Sequence, residues 1–272
     1  MSDANDDFLE ELFELARNCA IAAGSLLRTY GAQRLSTDLR ASAVTKSSPT
    51  DLATAADEAS EELIVEMILA DRPDDAVLAE EKSSRQGSSG ITWVIDPLDG
   101  TTNFVYGFAP YAISIAAKNA DETLVGVVYD PAKDELLAAR VGRGATCNGI
   151  AIEARRSVPP LSQALIGTGF SYDPNERAAQ AQLLQTVLPN VRDVRRAGAA
   201  AVDLCSVAMG RLDAYYESGL KAWDSAAGLL ICTETGLRHG ELALHEFGPT
   251  LLVGPPRLFE ALIELLESAK SA

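Results

Sequence analysis

The sequence predicts a layered α/β protein with mixed β-sheets, and three observations carry that expectation. Apolar residues at helical spacing dominate the N-terminal region. Three short β-rich segments follow, separated by the turns "NADE" and "DPAK", as in an antiparallel meander. The second half then alternates strand and helix. No internal repeat or low-complexity linker breaks the 272 residues, so one domain is expected. Within it, an N-terminal α+β lobe is expected over about 1–150 and a C-terminal α/β lobe over about 151–272.

Each element follows from local pattern. Phe8, Leu12, Leu15, Cys19, Ala22 and Leu26 recur at helical spacing and predict an amphipathic helix. Residues 30–51 read as an irregular connection, marked by Ser, Thr and the Ser48-Pro49 step. A second helix is expected from Thr54, with Leu63, Ile64, Met67 and Ile68 facing inward, stopping before Arg72-Pro73. "DAVLAEE" reads as a short strand ending at Glu80 and Glu81, "KSSRQGSSG" as an exposed loop, and Ile91 to Ile95 as a strand. The meander covers Tyr111 to Lys118, Leu124 to Tyr129 and Glu135 to Arg140. Strands are then expected at Ala164–Thr168, Ala214–Glu217 and Leu251–Val253. Helices are expected at Asn175–Leu188, Ala200–Met209, Ser225–Thr235 and from Pro256.

Composition narrows the function. The formal net charge is -16, and no basic stripe is present, which argues against nucleic-acid binding. An anionic ligand would be repelled by that field, and few Lys or Arg sit near the acidic motifs in the sequence, so metal ions are the expected source of local positive charge. The four cysteines are scattered without a CxxC pair, which fits buried thiols in a reducing compartment. Two late histidines, His239 and His245, make a His-rich site improbable, so any metal should be hard and oxygen-bound. The acidic start lacks the features of a signal peptide, and no apolar run reaches transmembrane length. The expectation is a cytoplasmic protein without membrane partners.

Four acidic features stand at element ends. Asp57 lies one turn into the second helix, and Glu80 ends a strand. Asp96 and Asp99 follow the strand 91–95 in "WVIDPLDGTTNF", and Asp224 opens the helix after "LKAW". Carboxylates gathered at one place are costly unless cations neutralise them. Pro97 stiffens the turn between the two aspartates. The Leu98 carbonyl is a possible backbone ligand, Gly100 allows close approach, and Thr101 offers a hydroxyl and exposed N–H groups. Taken singly, each feature has an ordinary reading: an Asx-Pro turn, a solvated strand end at "AEEK", Asp224 as an N-cap, Asp57 as a first-turn acid complementing the helix dipole. Their order and spacing make them specific as a set.

That order resembles the inositol monophosphatase family, the Mg²⁺-dependent, lithium-sensitive phosphatases. "KSSPTDLATAADEASEELI", "AEE", "WVIDPLDGTTNF" and "AYYESGLKAWDSAAG" carry the resemblance, from about Lys46 to about Gly236. "NFVYGFAPYAISIAA" and "RRAGAAAVDLCSVAMGRLDAYYESG" resemble the bacterial inositol-1-monophosphatase branch in particular. The resemblance implies a five-layer αβαβα sandwich, usually dimeric, with two or three Mg²⁺ per active site. It implies Glu80, Asp96 and the Leu98 carbonyl as ligands of one metal, and Asp96, Asp99 and Asp224 as ligands of a second. Thr101 and Asp57 match the pair that orients and deprotonates the attacking water near Glu80. Gly100, Thr101 and Thr102 match a phosphate cradle. Asp99, Ala200, Glu217 and Asp224 match substrate contacts, and Lys46 is placed near a third metal or the phosphate. Three departures touch no metal ligand: Gly198-Ala199 replaces the common Gly-Thr or Gly-Ser, Thr146 stands at an apolar strand position, and "TETGLRHG" lacks a paired glycine.

The expected activity is hydrolysis of a small phosphorylated polyol, inositol 1-phosphate first. Histidinol phosphate, fructose 1,6-bisphosphate and a 3′-phosphonucleotide are the alternatives, since a few contacts outside the phosphate cradle decide specificity. A non-catalytic scaffold is the reading from a different class, and the complete acidic set argues against it.

Overall fold

The computed structural model describes residues 3–33, 39–46, 52–153, 157–245 and 248–269. The Ser48-Pro49 step and the rest of 47–51 in the "KSSPTD" stretch lie outside them. The first half runs α1 (Asp3–Gln33), α2 (Leu39–Ser42), β1 (Val44–Thr45), β2 (Leu52–Ala53), α3 (Ala55–Asp71), β3 (Ala76–Ala79), β4 (Ser84–Arg85), β5 (Thr92–Asp99), α4 (Thr101–Tyr106), β6 (Ala112–Lys118), β7 (Thr123–Asp130), β8 (Glu135–Arg140), β9 (Ala145–Cys147) and β10 (Ile150–Ala151). The second half adds β11 (Leu165–Thr168), α5 (Pro174–Val187), β12 (Asp193–Arg195), α6 (Ala200–Ala208), β13 (Ala214–Ser218), α7 (Ala222–Glu234), β14 (Arg238–His245), β15 (Gly248–Gly254) and α8 (Pro256–Ala269).

These elements stack as five layers. Helices α1 and α3 cover one face of an eight-stranded sheet ordered β10-β9-β8-β7-β6-β5-β3-β4. Helices α6 and α7 fill the space between that sheet and a second one, ordered β12-β11-β13-β15-β14. Helices α5 and α8 close its outer face. Both sheets are mixed: β3 runs parallel to β5, and β11 is parallel to β12 and β13, whereas the other pairings within them are antiparallel.

The strands of the large sheet are buried on both faces, which explains their unbroken apolar runs. In β5, Trp93 and Ile95 face the core under α1 and α3, while Val94 faces the core under α6 and α7. The same alternation holds in β6 and β7, as a period of two requires. The middle core takes side chains from both sheets, so neither half of the chain buries its apolar surface alone. Gly126 in β7 lets α7 come close: a Cβ there would lie 2.7 Å from the Ala227 carbonyl oxygen and 2.9 Å from its Cα.

Some boundaries differ from the sequence expectation. Strand β5 continues through Asp96 to Asp99, because its pairing with β6 resumes at Asp99 after a register shift. Residues 101–106, to which the sequence assigned no element, form a short helix, and α7 starts at Ala222, so Asp224 lies inside it. Strands β4, β9, β12 and β14 carry too few alternating apolar residues to stand out locally; sheet pairing defines them.

Candidate active site

Helix α3 begins the site. Thr54 is its N-cap, accepting the Ala56 N–H at 3.1 Å, and Asp57 returns the bond by accepting the Thr54 N–H at 2.8 Å. The other Asp57 oxygen accepts the Thr101 hydroxyl at 2.9 Å. Asp57 is 1% exposed. Burial raises its pKa, opposed by the hydrogen bonds from Thr54 and Thr101.

Strand β5 supplies the central acids. In a regular strand Asp96 and Asp99 would point to opposite faces. The register shift between them, at Pro97 and Leu98, changes that phase and lets both address one region. Asp96 is 2% exposed and accepts the Leu98 N–H at 3.0 Å. Burial drives its pKa well above the ordinary carboxylate value, and Glu80, Asp99 and Asp224 add to the rise as like charges. Glu80 also stands within hydrogen-bonding reach of Asp96, a contact that is favourable only with a shared proton or a cation between them. Asp99 is raised by burial and by Asp224, although it accepts the Ala200 and Ala201 N–H groups at 3.1 and 2.8 Å. Those donors are the first residues of α6.

Asp224 is the third residue of α7 and accepts the Lys221 N–H at 2.6 Å, so the simple reading of Asp224 as an N-cap is corrected. Burial and the charges of Glu80 and Glu217 push its pKa up to about 7, against the Lys221 contacts. Gly100, with φ +87°, caps α4 without a side chain. The first N–H groups of that helix, from Thr101 and Thr102, therefore have no capping side chain. The Thr101 hydroxyl also lies 3.0 Å from the Leu98 carbonyl.

A cavity of about 480 Å³ opens above these groups. Of the residues expected from sequence, Lys46, Glu80, Asp99, Gly100, Ala200, Glu217 and Asp224 line it. Asp57, Asp96, Leu98 and Thr101 are buried beside it, and Thr102 is half-buried on α4 without lining it. Glu217 is held from β13 by a short hydrogen bond from the Tyr215 hydroxyl.

Sequence reading missed several lining residues. Phe170 and Tyr172 follow β11, Trp223 opens α7, and Arg196 and Lys221 bring positive charge. Side chains thus supply positive charge at the cavity, for which the sequence reading looked to metal ions. Lys46 bonds Glu80 at 2.9 Å and also pairs with Glu81. Burial opposes its charge, but Glu80 and Glu81 hold the ammonium well above the ordinary lysine value. Lys46 is separated from Glu80 by 34 positions and is expected here only through the family resemblance, whereas Lys221 stands three residues before Asp224.

Among the described residues, no three His, Cys, Asp or Glu side chains are gathered closely enough to hold a metal ion as they stand. Their partners explain this: Lys46 draws on Glu80, the α6 N-terminus on Asp99, and the Lys221 N–H on Asp224. The donor chemistry nevertheless fits a hard divalent cation. Mutually repelling carboxylates neighbour one another beside the cavity, and no described cysteine or histidine lines it.

Comparison with known proteins gives matches over most of the chain. The profile of the Inositol monophosphatase family matches residues 8–269. An inositol-1-monophosphatase of Mycobacterium bovis is 43% identical over 240 residues, covering 84% of this chain and 82% of that protein. A Nus factor SuhB of Pasteurella multocida is 44% identical over 196 residues, 71% of this chain and 72% of its own. The structure of Mycobacterium tuberculosis SuhB superposes with a TM-score of 0.80 at 38% identity, covering 96% of this chain and 97% of that one.

Proposed function

Because the chain belongs to the inositol monophosphatase family and is a phosphatase, we propose that it hydrolyses inositol 1-phosphate to inositol and phosphate with Mg²⁺ as cofactor. The observation that carries this is buried Asp96, surrounded by Glu80, Asp99 and Asp224 beside a cavity that also contains Glu217. Glu80, Asp96 and the Leu98 carbonyl would hold one ion, and Asp96, Asp99 and Asp224 a second. Bound Mg²⁺ supplies Lewis-acid polarisation of the phosphoryl group and acidifies water.

The chain's own residues do the rest. The Thr101 hydroxyl donates to Asp57 Oδ1, so its oxygen remains free to accept from a water. As water attacks phosphorus beside Glu80, Thr101 takes the water's proton and passes its own to Asp57, while the P–O bond to the polyol breaks and the leaving oxygen is protonated from solvent. Gly100, Thr101 and Thr102 present N–H groups at the start of α4 to the phosphate. Glu217 and Asp224 accept hydrogen bonds from polyol hydroxyls, with Ala200 packing alongside. On the same reading the protein is a Li⁺-sensitive, cytoplasmic homodimer that acts on a small phosphorylated polyol, not on nucleic acid.

A second substrate reading rests on Arg196 and Lys221, which add positive charge to the cavity wall. They suit a substrate with a second anionic group, such as fructose 1,6-bisphosphate or a 3′-phosphonucleotide. Phosphate release from these, from histidinol phosphate and from inositol 1-phosphate, with Mg²⁺, EDTA or Li⁺, decides between them. Mg²⁺-dependent turnover greatest for inositol 1-phosphate is expected. A bisphosphate as the best substrate moves the specificity to Arg196 and Lys221, and activity undiminished by EDTA overturns the metal assignment.

A further inference from the structure

Three consecutive buried positions on α3 each reach a different segment of the site. Asp57, Ser60 and Glu61 are 1%, 0% and 2% exposed. Their i, i+3 and i+4 spacing puts them on one face of the helix. Asp57 bonds Thr101 at the start of α4. The Ser60 hydroxyl donates to the Pro97 carbonyl at 2.9 Å, inside the irregular step between Asp96 and Asp99. Glu61 accepts three backbone N–H groups from the turn after β3: Glu81 at 2.8 Å, Lys82 at 2.9 Å and Ser83 at 2.8 Å. That turn carries Glu80, whose own N–H reaches the Ile95 carbonyl at 3.2 Å.

We propose that Ser60 and Glu61 are positioning residues that fix Glu80 and the Asp96–Leu98 segment for metal binding, so that one face of α3 sets the relative placement of acids supplied by separate strands. The inference rests on the two-metal reading above. A carboxylate accepting three N–H groups is a rigid clamp, because charged acceptors bond more strongly and each donor fixes a different peptide. Neither side chain needs to touch substrate. Ligating carboxylates that must repel one another hold their places only if the backbone beneath them is held, and Ser60 and Glu61 bond that backbone.

Glu61→Gln is the informative variant. An amide keeps one acceptor for Lys82 and Ser83 but turns an NH₂ toward the Glu81 N–H, loosening the peptide next to Glu80. Glu234→Gln is its control. Glu234 clamps another turn the same way, accepting the Gly142 and Gly144 N–H groups at 2.7 Å each, and it does not line the cavity. Mn²⁺ binding is measured by calorimetry, beside kcat and KM at varied Mg²⁺ and thermal unfolding. The expected result for Glu61→Gln is Mn²⁺ affinity weakened about 10–100-fold, with kcat recovering at high Mg²⁺ and KM little changed. Glu234→Gln should bind as wild type.

Wild-type affinity in Glu61→Gln, or equal weakening in both variants, overturns the inference while the two-metal reading stands. Absence of Mn²⁺ binding to the wild type overturns that reading and the inference with it. Ser60→Ala, which removes a single hydroxyl, decides the matter if Glu61→Gln does not fold. Its Mn²⁺ affinity should also weaken, and an unchanged value refutes the proposal.

Discussion

Replacing Gly169 by alanine tests how Glu217 is used without altering its chemistry. An alanine Cβ at this position would lie 2.0 Å from the Glu217 Cδ and 2.0 and 2.1 Å from its carboxylate oxygens. Ordinary contact begins at 3.4 Å, so the carboxyl group must retreat by at least the 1.4 Å separating the two values. It sits at the end of a flexible side chain, so the fold should accommodate the move with little loss of stability. The catalytic consequence is larger. A shift of this size breaks a hydrogen bond from a substrate hydroxyl to a carboxylate, a loss of about 1.5–3 kcal/mol. That corresponds to roughly a 10- to 150-fold fall in kcat/KM. The assay compares inositol 1-phosphate with an aryl phosphate that has no hydroxyls, alongside a thermal melt. A fall confined to the polyol substrate is expected. Equal falls on both substrates would refute the placement of Glu217 against the polyol.

Other predictions are independent of that one. Asp96→Asn should abolish Mg²⁺-dependent turnover, yet raise or preserve the melting temperature in EDTA, because it removes a charge buried among Glu80, Asp99 and Asp224; an active variant would overturn the bridging assignment. Asp75 gives a pH signature: burial opposes its charge, but hydrogen bonds from Arg72, Ser89 and Trp93 hold its pKa below the ordinary value. Its contribution is therefore complete above the unfolded pKa of about 3.9 and is lost as pH falls through the lower folded value. Asp75→Asn should cost about 1–3 kcal/mol at neutral pH, with the gap to wild type narrowing in strong acid; a pH-independent gap in urea unfolding would refute this. Burial pushes the Cys19 thiol up to about 12 and also raises Cys205 and Cys232, whereas half-buried Cys147 is raised less sharply. Thiol titration of the native protein at pH 8 should label Cys147 first and the other three only on unfolding, and rapid labelling of Cys19, Cys205 and Cys232 would contradict their burial.

Local pattern made the main helices and the central strands legible. Apolar runs cut by short turns over 111–140 mark strands whose two faces enter different cores, and Thr54 with Asp57 marks the start of α3 through contacts only three residues apart. Edge strands such as β12 and β14 escaped because a strand with few apolar residues is defined by the neighbour it pairs with. Helix α4 escaped because a six-residue segment capped by a left-handed glycine has little periodicity to read.

The sequence by itself determined which acids are present, their order, and the family they signal. Only the tertiary structure decided what each acid meets. Asp99 receives N–H groups from residues a hundred positions away, and Glu80 meets Lys46 across 34 positions. Ser60 and Glu61 looked like helix residues without a task until the fold laid the Pro97 and Glu81–Ser83 peptides against them. The physical reason is that intrinsic preference is set by neighbours along the chain, whereas charge, desolvation and hydrogen bonding act between groups near in space. Their strength here depends on burial that no single segment achieves alone.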